Sequence, residues 1–109
     1  MTVQDFAAKG QFNVLAMPEP NREICGAYIG DLLSWVMGKA KADNIWITIM
    51  SNVNVIAVAS LSDVSCVLLA EGVTFSDDLL ITAKEKGINV LSTSLASYEA
   101  AIKVCGMLQ

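Results

Sequence analysis

Asn44-Ile45-Trp46-Ile47-Thr48-Ile49-Met50 and Val64-Ser65-Cys66-Val67-Leu68-Leu69-Ala70 decide how this chain folds. The first is rich in β-branched and aromatic residues and is the clearest strand in the sequence. The second is a near-continuous apolar run closed by Glu71-Gly72, the pattern of a strand buried on both faces of a parallel sheet. Between them, Ser51 to Leu61 reads two ways. Val53, Val55, Ala57 and Ala59 alternate like a strand, whereas Val53, Ile56, Ala57 and Ser60 share a helical face.

Downstream, Ser76 caps a predicted helix that has Asp77 and Asp78 in its first turn, Lys84 and Lys86 near its end and Gly87 after it. All of these charges complement the helix dipole. Ile88 to Leu91 then reads as a short strand, and Ser94 as the cap of a last helix whose buried stripe is Leu95, Tyr98, Ile102 and Cys105. Upstream, Thr2 to Lys9 reads as a capped helix stopped by Gly10, followed by a strand over Gln11 to Ala16 and a loop over Met17 to Asn21 with Pro18 and Pro20. Ile24 to Ile29 is a short strand interrupted by Gly26. Asp31 then reads as the N-cap of a helix over Leu32 to Met37, with Leu32, Leu33, Val36 and Met37 on one face and Gly38 as terminator. Strands alternating with helices at this spacing predict an α/β fold. It is a three-layer sandwich with a mostly parallel sheet of about five strands, helices on both faces and right-handed crossovers.

The 109 residues match one domain of common size, so residues 1–109 are read as a single unit. Hydrophobic residues make up 54% and charged residues 17%, against about 45–50% and about 25% in ordinary soluble domains. Too few charges remain to cover the surface of so small a domain, so part of its apolar surface is expected to be hidden by a second copy, making a homodimer. The net charge of −4, with seven basic residues dispersed along the chain, argues against nucleic acid. Cys25, Cys66 and Cys105 are odd in number and widely spaced, and there is no histidine, which argues against zinc and against a disulfide framework. Buried structural thiols are expected at Cys66 and Cys105. No basic segment leads into an apolar stretch near the N-terminus, so a signal peptide is not expected and the cytoplasm is. Asn44 to Ser62 is uncharged but interrupted by Thr48, Ser51, Asn52, Asn54 and Ser60 and flanked by Asp43 and Asp63, so no membrane span is expected.

Catalytic patterns fail in turn. Without histidine, the usual routes to an activated serine or cysteine are closed. The phosphate loop fails twice, since Ala40 follows Gly38-Lys39 and Leu33 stands where its first glycine belongs. Gly26-Ala27-Tyr28-Ile29-Gly30 lacks dinucleotide spacing, and Asp31 puts negative charge where a pyrophosphate would sit. Asp77 and Asp78 are explained by the dipole alone. What remains are polar residues at strand-to-helix junctions, where ligands of open α/β sheets bind: Gly30, Asp31, Ser34, Thr48, Asn52, Asn54 and Thr93, beside Ser94. Capping and turn chemistry accounts for the same residues without a ligand.

Asn21-Arg22-Glu23-Ile24-Cys25-Gly26-Ala27-Tyr28-Ile29-Gly30-Asp31-Leu32-Leu33-Ser34, Trp46-Ile47-Thr48, Asn54-Val55-Ile56-Ala57-Val58-Ala59 and Leu91-Ser92-Thr93 together resemble the DRTGG domain family over nearly the whole chain. The chain looks like the small stand-alone DRTGG proteins. Their domain resembles the N-terminal domain of HPr kinase/phosphorylase, and occurs in phosphotransacetylases and beside CBS domains in regulated pyrophosphatases. The naming motif is degenerate: Asn21-Arg22 stands for Asp-Arg, and Cys25-Gly26-Ala27 for Thr-Gly-Gly. The resemblance implies a helix over Asn52 to Leu61. It also implies a regulatory or dimerising module, and no kinase activity, because that chemistry belongs to another domain of HPr kinase; a serine-kinase label is unsupported.

The expected function is a non-catalytic, homodimeric regulatory or interaction module. It has no metal or other cofactor and binds a protein partner or a small polar metabolite at the carboxyl edge of its sheet. The alternative is an adenine-nucleotide sensor at that edge.

Overall fold

The computed structural model describes residues 1–109. Its elements run α1 (Val3–Gly10), β1 (Asn13–Ala16), β2 (Ala27–Ile29), α2 (Leu33–Lys39), β3 (Ile45–Thr48), α3 (Val53–Ser62), β4 (Cys66–Leu69), α4 (Asp77–Glu85), β5 (Val90–Ser92) and α5 (Ser97–Met107). The sheet order is β1-β5-β4-β3-β2, with β2 to β5 parallel and β1 antiparallel to β5 across a bulge between Val14 and Ala16.

Because the parallel strands lie side by side in chain order, crossovers of one hand put α2, α3 and α4 on the same face. There Val36, Val55, Ile56, Ala59 and Ala83 meet Trp46, Val67, Leu69 and Val90 from the sheet. The alternate strand residues Ile45, Ile47, Cys66, Leu68 and Leu91 point the other way, onto Val3, Phe6, Ala100 and Val104 of α1 and α5. The result is the expected α/β sandwich of three layers with two cores.

Local chemistry sets most element ends. Thr2 Oγ1 accepts from Asp5 N, Asn52 caps α3 through Asn54 N, and Ser76 caps α4 through Leu79 N. Gly10 is the last residue of α1, where a Cβ would run into the Phe12 ring, and Gln11 takes the left-handed turn at φ 55°. The ambiguous stretch after Ser51 resolves as helix from Val53 to Ser62, with Asn52 as its extended cap. With its start, Asn44 to Ser62 divides into β3 and α3, and no helix is long and apolar enough to cross a membrane.

Several expectations are corrected. Asp31 does not cap α2, which begins after Leu32 with no side-chain cap, because the carboxylate is drawn to β3 instead. Only Val36 of α2 is fully buried, and Leu32 and Met37 are exposed. Ser94 does not cap α5; that helix starts after Ala96, with Ser97 N donating to Glu71 Oε2 (2.9 Å). Its buried residues are Ala100 and Val104, while Tyr98 (74%), Ile102 (55%) and Cys105 face outward. Ala100 and Val104, four apart, share the face of α5 that joins the core beneath the sheet, so the stripe that holds Tyr98, Ile102 and Cys105 is turned outward. Cys66 alone is a buried thiol; Cys25 is exposed with Cys105.

Candidate functional site

All four parallel strands end at one edge, and the predicted site residues lie along it. Gly30 and Asp31 follow β2, Ser34 opens α2, Thr48 ends β3, Asn52 and Asn54 open α3, and Thr93 follows β5. Two of them, Asp31 and Thr48, meet directly. Thr48 Oγ1 donates to Asp31 Oδ1 (2.8 Å), Ile49 N donates to the same oxygen (3.0 Å), and Met50 N donates to Thr48 Oγ1 (3.2 Å). Gly30 is held to β3 from both sides: its N–H donates to Ile47 O (3.1 Å) and its carbonyl accepts from Trp46 Nε1 (2.9 Å). Asp31 thus clamps the exit of β2 to the exit of β3.

The clamp leaves Asp31 Oδ2 without a protein donor. Asn54 is exposed with its side-chain amide unengaged, its backbone N–H being taken by Asn52 Oδ1 (2.9 Å). Ser34 is also exposed and unbonded. The exits of β2 and β3 therefore leave one carboxylate oxygen, an amide and a hydroxyl free along this edge, groups that suit hydroxyl or amino partners better than an anion. Thr48, whose hydroxyl meets the carboxylate, is 1% exposed, so that pair does not present a nucleophile.

Thr93 stands apart. β4 lies between β5 and β3, about 10 Å of sheet at two strand spacings. Thr93 Oγ1 accepts from Leu95 N (3.2 Å) and its carbonyl from Gly72 N (3.0 Å), while Glu71 N donates to Leu95 O (2.8 Å). Here adjacent strands send their chains to opposite faces, β4 to α4 and β5 to α5, the arrangement that opens a crevice in related sheets. In this chain the two loops are stitched together across that crevice, and the Glu71 carboxylate occupies the start of α5.

Charge at this edge is one-sided. The loops leaving β2 to β5 carry Asp31 and Glu71 but no lysine or arginine, and Asp77 and Asp78 open α4. No group of three His, Cys, Asp or Glu side chains is placed to hold a metal ion.

The degenerate motif sits at the opposite edge, where sequence reasoning did not place a site. Arg22 Nη2 donates to Asp43 Oδ1 (3.0 Å), Asp63 Oδ1 (2.7 Å) and Asp63 O (2.6 Å), joining the segment before β2 to the turns after α2 and α3. Partial burial pulls the guanidinium pKa down, but hydrogen bonds and charge from Asp63 and Asp43 outweigh it and leave the pKa raised. Both aspartates sit in left-handed turns, at φ 67° and 56°. Gly26, at φ 81° with Asn44 Nδ2 3.1 Å from where a Cβ would stand, is the motif residue that needs to be glycine. Nearby, buried Asn89 bonds Glu19 O (2.8 Å) and Ser65 O (3.0 Å), and Asn44 bonds Cys25 O (2.7 Å). Arg22 and its turn aspartates were the available signal, since Asp43 and Asp63 each precede a strand.

Two apolar grooves complete the surface. One, of about 370 Å³, runs between β2 and α5 past Tyr28, Ile29, Ala101, Cys105 and Leu108; the other, of about 360 Å³, lies between α3 and α4 at Val53, Leu61 and Thr82.

No protein-family model matches the sequence, and no curated protein matches it. Among solved structures, the fold is similar to the CBS and DRTGG domains of the regulatory region of Clostridium perfringens pyrophosphatase, complexed with the activator diadenosine tetraphosphate. The TM-score is 0.70 over 94% of this chain, at 15% identity. This chain spans 45% of the length of that one. At that identity the likeness is one of fold, and the fold is DRTGG-like.

Proposed function

We propose that this chain is a non-catalytic regulatory module, a single domain over residues 1–109 that works as a homodimer. The observation that carries the reading is the match of nearly the whole fold to part of a region that regulates a pyrophosphatase. The site chemistry agrees with it: the carboxyl-edge hydroxyl that meets a carboxylate is buried, and the remaining groups can bind but have no partner to activate them. Light scattering on the full chain tests the dimer, which is expected at micromolar concentration; a monomer there overturns it.

A second reading, an adenine-nucleotide sensor, is favoured by the activator bound to the pyrophosphatase region. In this chain the free groups are Asp31 Oδ2, Asn54 and Ser34, so the site would read base and ribose and leave phosphates toward solvent. Thermal denaturation with adenosine, AMP, ATP and diadenosine tetraphosphate tests it. A ligand at 100 times its Kd adds about 2.7 kcal/mol of stability, and adenosine is expected to stabilise at least as well as ATP. No shift with any of the four overturns the sensor and leaves the interaction module standing.

A further inference from the structure

β2 is an outer strand of the sheet. Its inward groups are spent on β3: Gly26 O accepts from Ile45 N and Gly30 N donates to Ile47 O. By the alternation of a parallel ladder, the N–H and C=O groups of Ala27 and Ile29 therefore point off the edge. Soluble proteins blunt such edges with charge, proline or bulges. The other outer strand does this: β1 carries a bulge and runs into Pro18 and Pro20. β2 has no charge, proline or bulge of its own, and its one protection is its length of three residues. From Ile24 to Gly38 the only charged residue is Asp31, and one of its oxygens is turned onto Thr48 and Ile49.

The same segment concentrates exposed apolar side chains. Four of the twelve large hydrophobic residues left exposed are Ile29, Leu32, Trp35 and Met37. On the other face of the sheet, the groove against α5 continues the apolar surface through Cys105 and Leu108.

Resting on the dimer reading above, we infer that two copies of this chain join along β2, antiparallel about a two-fold axis, to make one continuous ten-stranded sheet. Ala27 of each copy would exchange hydrogen bonds with Ile29 of the other, with the two Tyr28 residues facing each other at the axis. A second copy is favoured as the occupant for two reasons. An edge displaying two outward residues of one strand is complementary to itself under this symmetry. A chain of net charge −4 also repels its copy, and least where charge is sparse and balanced: from Ile24 to Lys39 the only charges are Asp31 and Lys39, opposite in sign, with the Lys39 ammonium 4.2 Å over the Trp35 ring. A stable dimer buries about 800 Å² per partner. A three-residue strand is too short for that, so the exposed side of α2 and the groove beside α5 complete the interface.

The test is the native mass by size exclusion with light scattering for the wild-type chain, Ile29→Lys and, as a control on α4, Ile81→Lys, both sites being half exposed in the single chain. A wild-type dimer, a twofold lower mass for Ile29→Lys and an unchanged dimer for Ile81→Lys is the expected result. A dimer that survives Ile29→Lys overturns the β2 interface while keeping the dimer; a wild-type monomer overturns both. Amide exchange on the wild-type chain decides the matter independently of any variant. Ala27 and Ile29 should be protected at high protein concentration and lose protection on dilution, and fast exchange at every concentration overturns the proposal.

Discussion

At the scale of single residues, the polar groups with the most at stake are those that tie chain exits together. Arg22 is only 23% exposed and holds two turns, so Arg22→Ala is expected to cost about 1–2 kcal/mol, below the full value of a charged hydrogen-bond pair because Asp43 and Asp63 are half open to water. Arg22→Lys should recover part of this, since an ammonium cannot reproduce the fork; urea denaturation measures both. Cys66 gives a pH signature. Complete burial pushes its thiol far above the ordinary value of 9.0. Below pH 9 the folded and unfolded chains both keep the proton, and nothing is lost. Above it the unfolded thiol ionises while the folded one does not, so stability falls by about 1.4 kcal/mol per pH unit. Cys66→Ala should lower stability at neutral pH and flatten this alkaline decline, which chemical denaturation from pH 8 to pH 10 would show. These roles were only partly legible. Cys66 reads as buried from its apolar run, whereas Arg22 and Asp31 have partners that are distant in sequence.

At the scale of elements, caps legible in the sequence are local and the ones it misplaced are not. Asn52 caps α3 through a bond two residues away, and Asn52→Ala is expected to cost about 1 kcal/mol. α5 is different, because its start is held by Glu71 from the loop after β4. Ser94→Ala should therefore leave stability unchanged. Glu71→Asn, which tolerates the left-handed backbone at φ 61° but is one methylene too short to reach Ser97, should cost about 1 kcal/mol. Thermal denaturation of the two variants separates the readings; equal losses would contradict the observed cap. The same logic explains α2, where Asp31 had the right type and position for a cap but found stronger partners in Thr48 and Ile49.

At the scale of the whole molecule, the apolar excess in the composition becomes a surface with a location. Trp46 is buried and Trp35 is 57% exposed, so a Trp46→Phe variant reports Trp35 alone. If copies meet at β2 and α2, its fluorescence should shift to the blue as concentration rises through the dissociation constant. Emission independent of concentration while the mass doubles would place the contact elsewhere. The candidate ligand site was legible as a set of junction residues but not as one site. Gly30, Asp31 and Thr48 share a clamp, Ser34, Asn52 and Asn54 carry no bond to it, and Thr93 belongs to another pair of loops.

By itself the sequence determined the fold class, the strands β3 and β4 and the capped helices α1 and α4. Each depends on composition, periodicity or contacts within a turn or two of the chain. Only the tertiary structure decided the strand order, the face of α5 that is buried, the partner of Asp31 and the place of Arg22. Those outcomes are set by which side chains meet across the sheet, and residues far apart in sequence come within hydrogen-bonding reach only after the chain has packed.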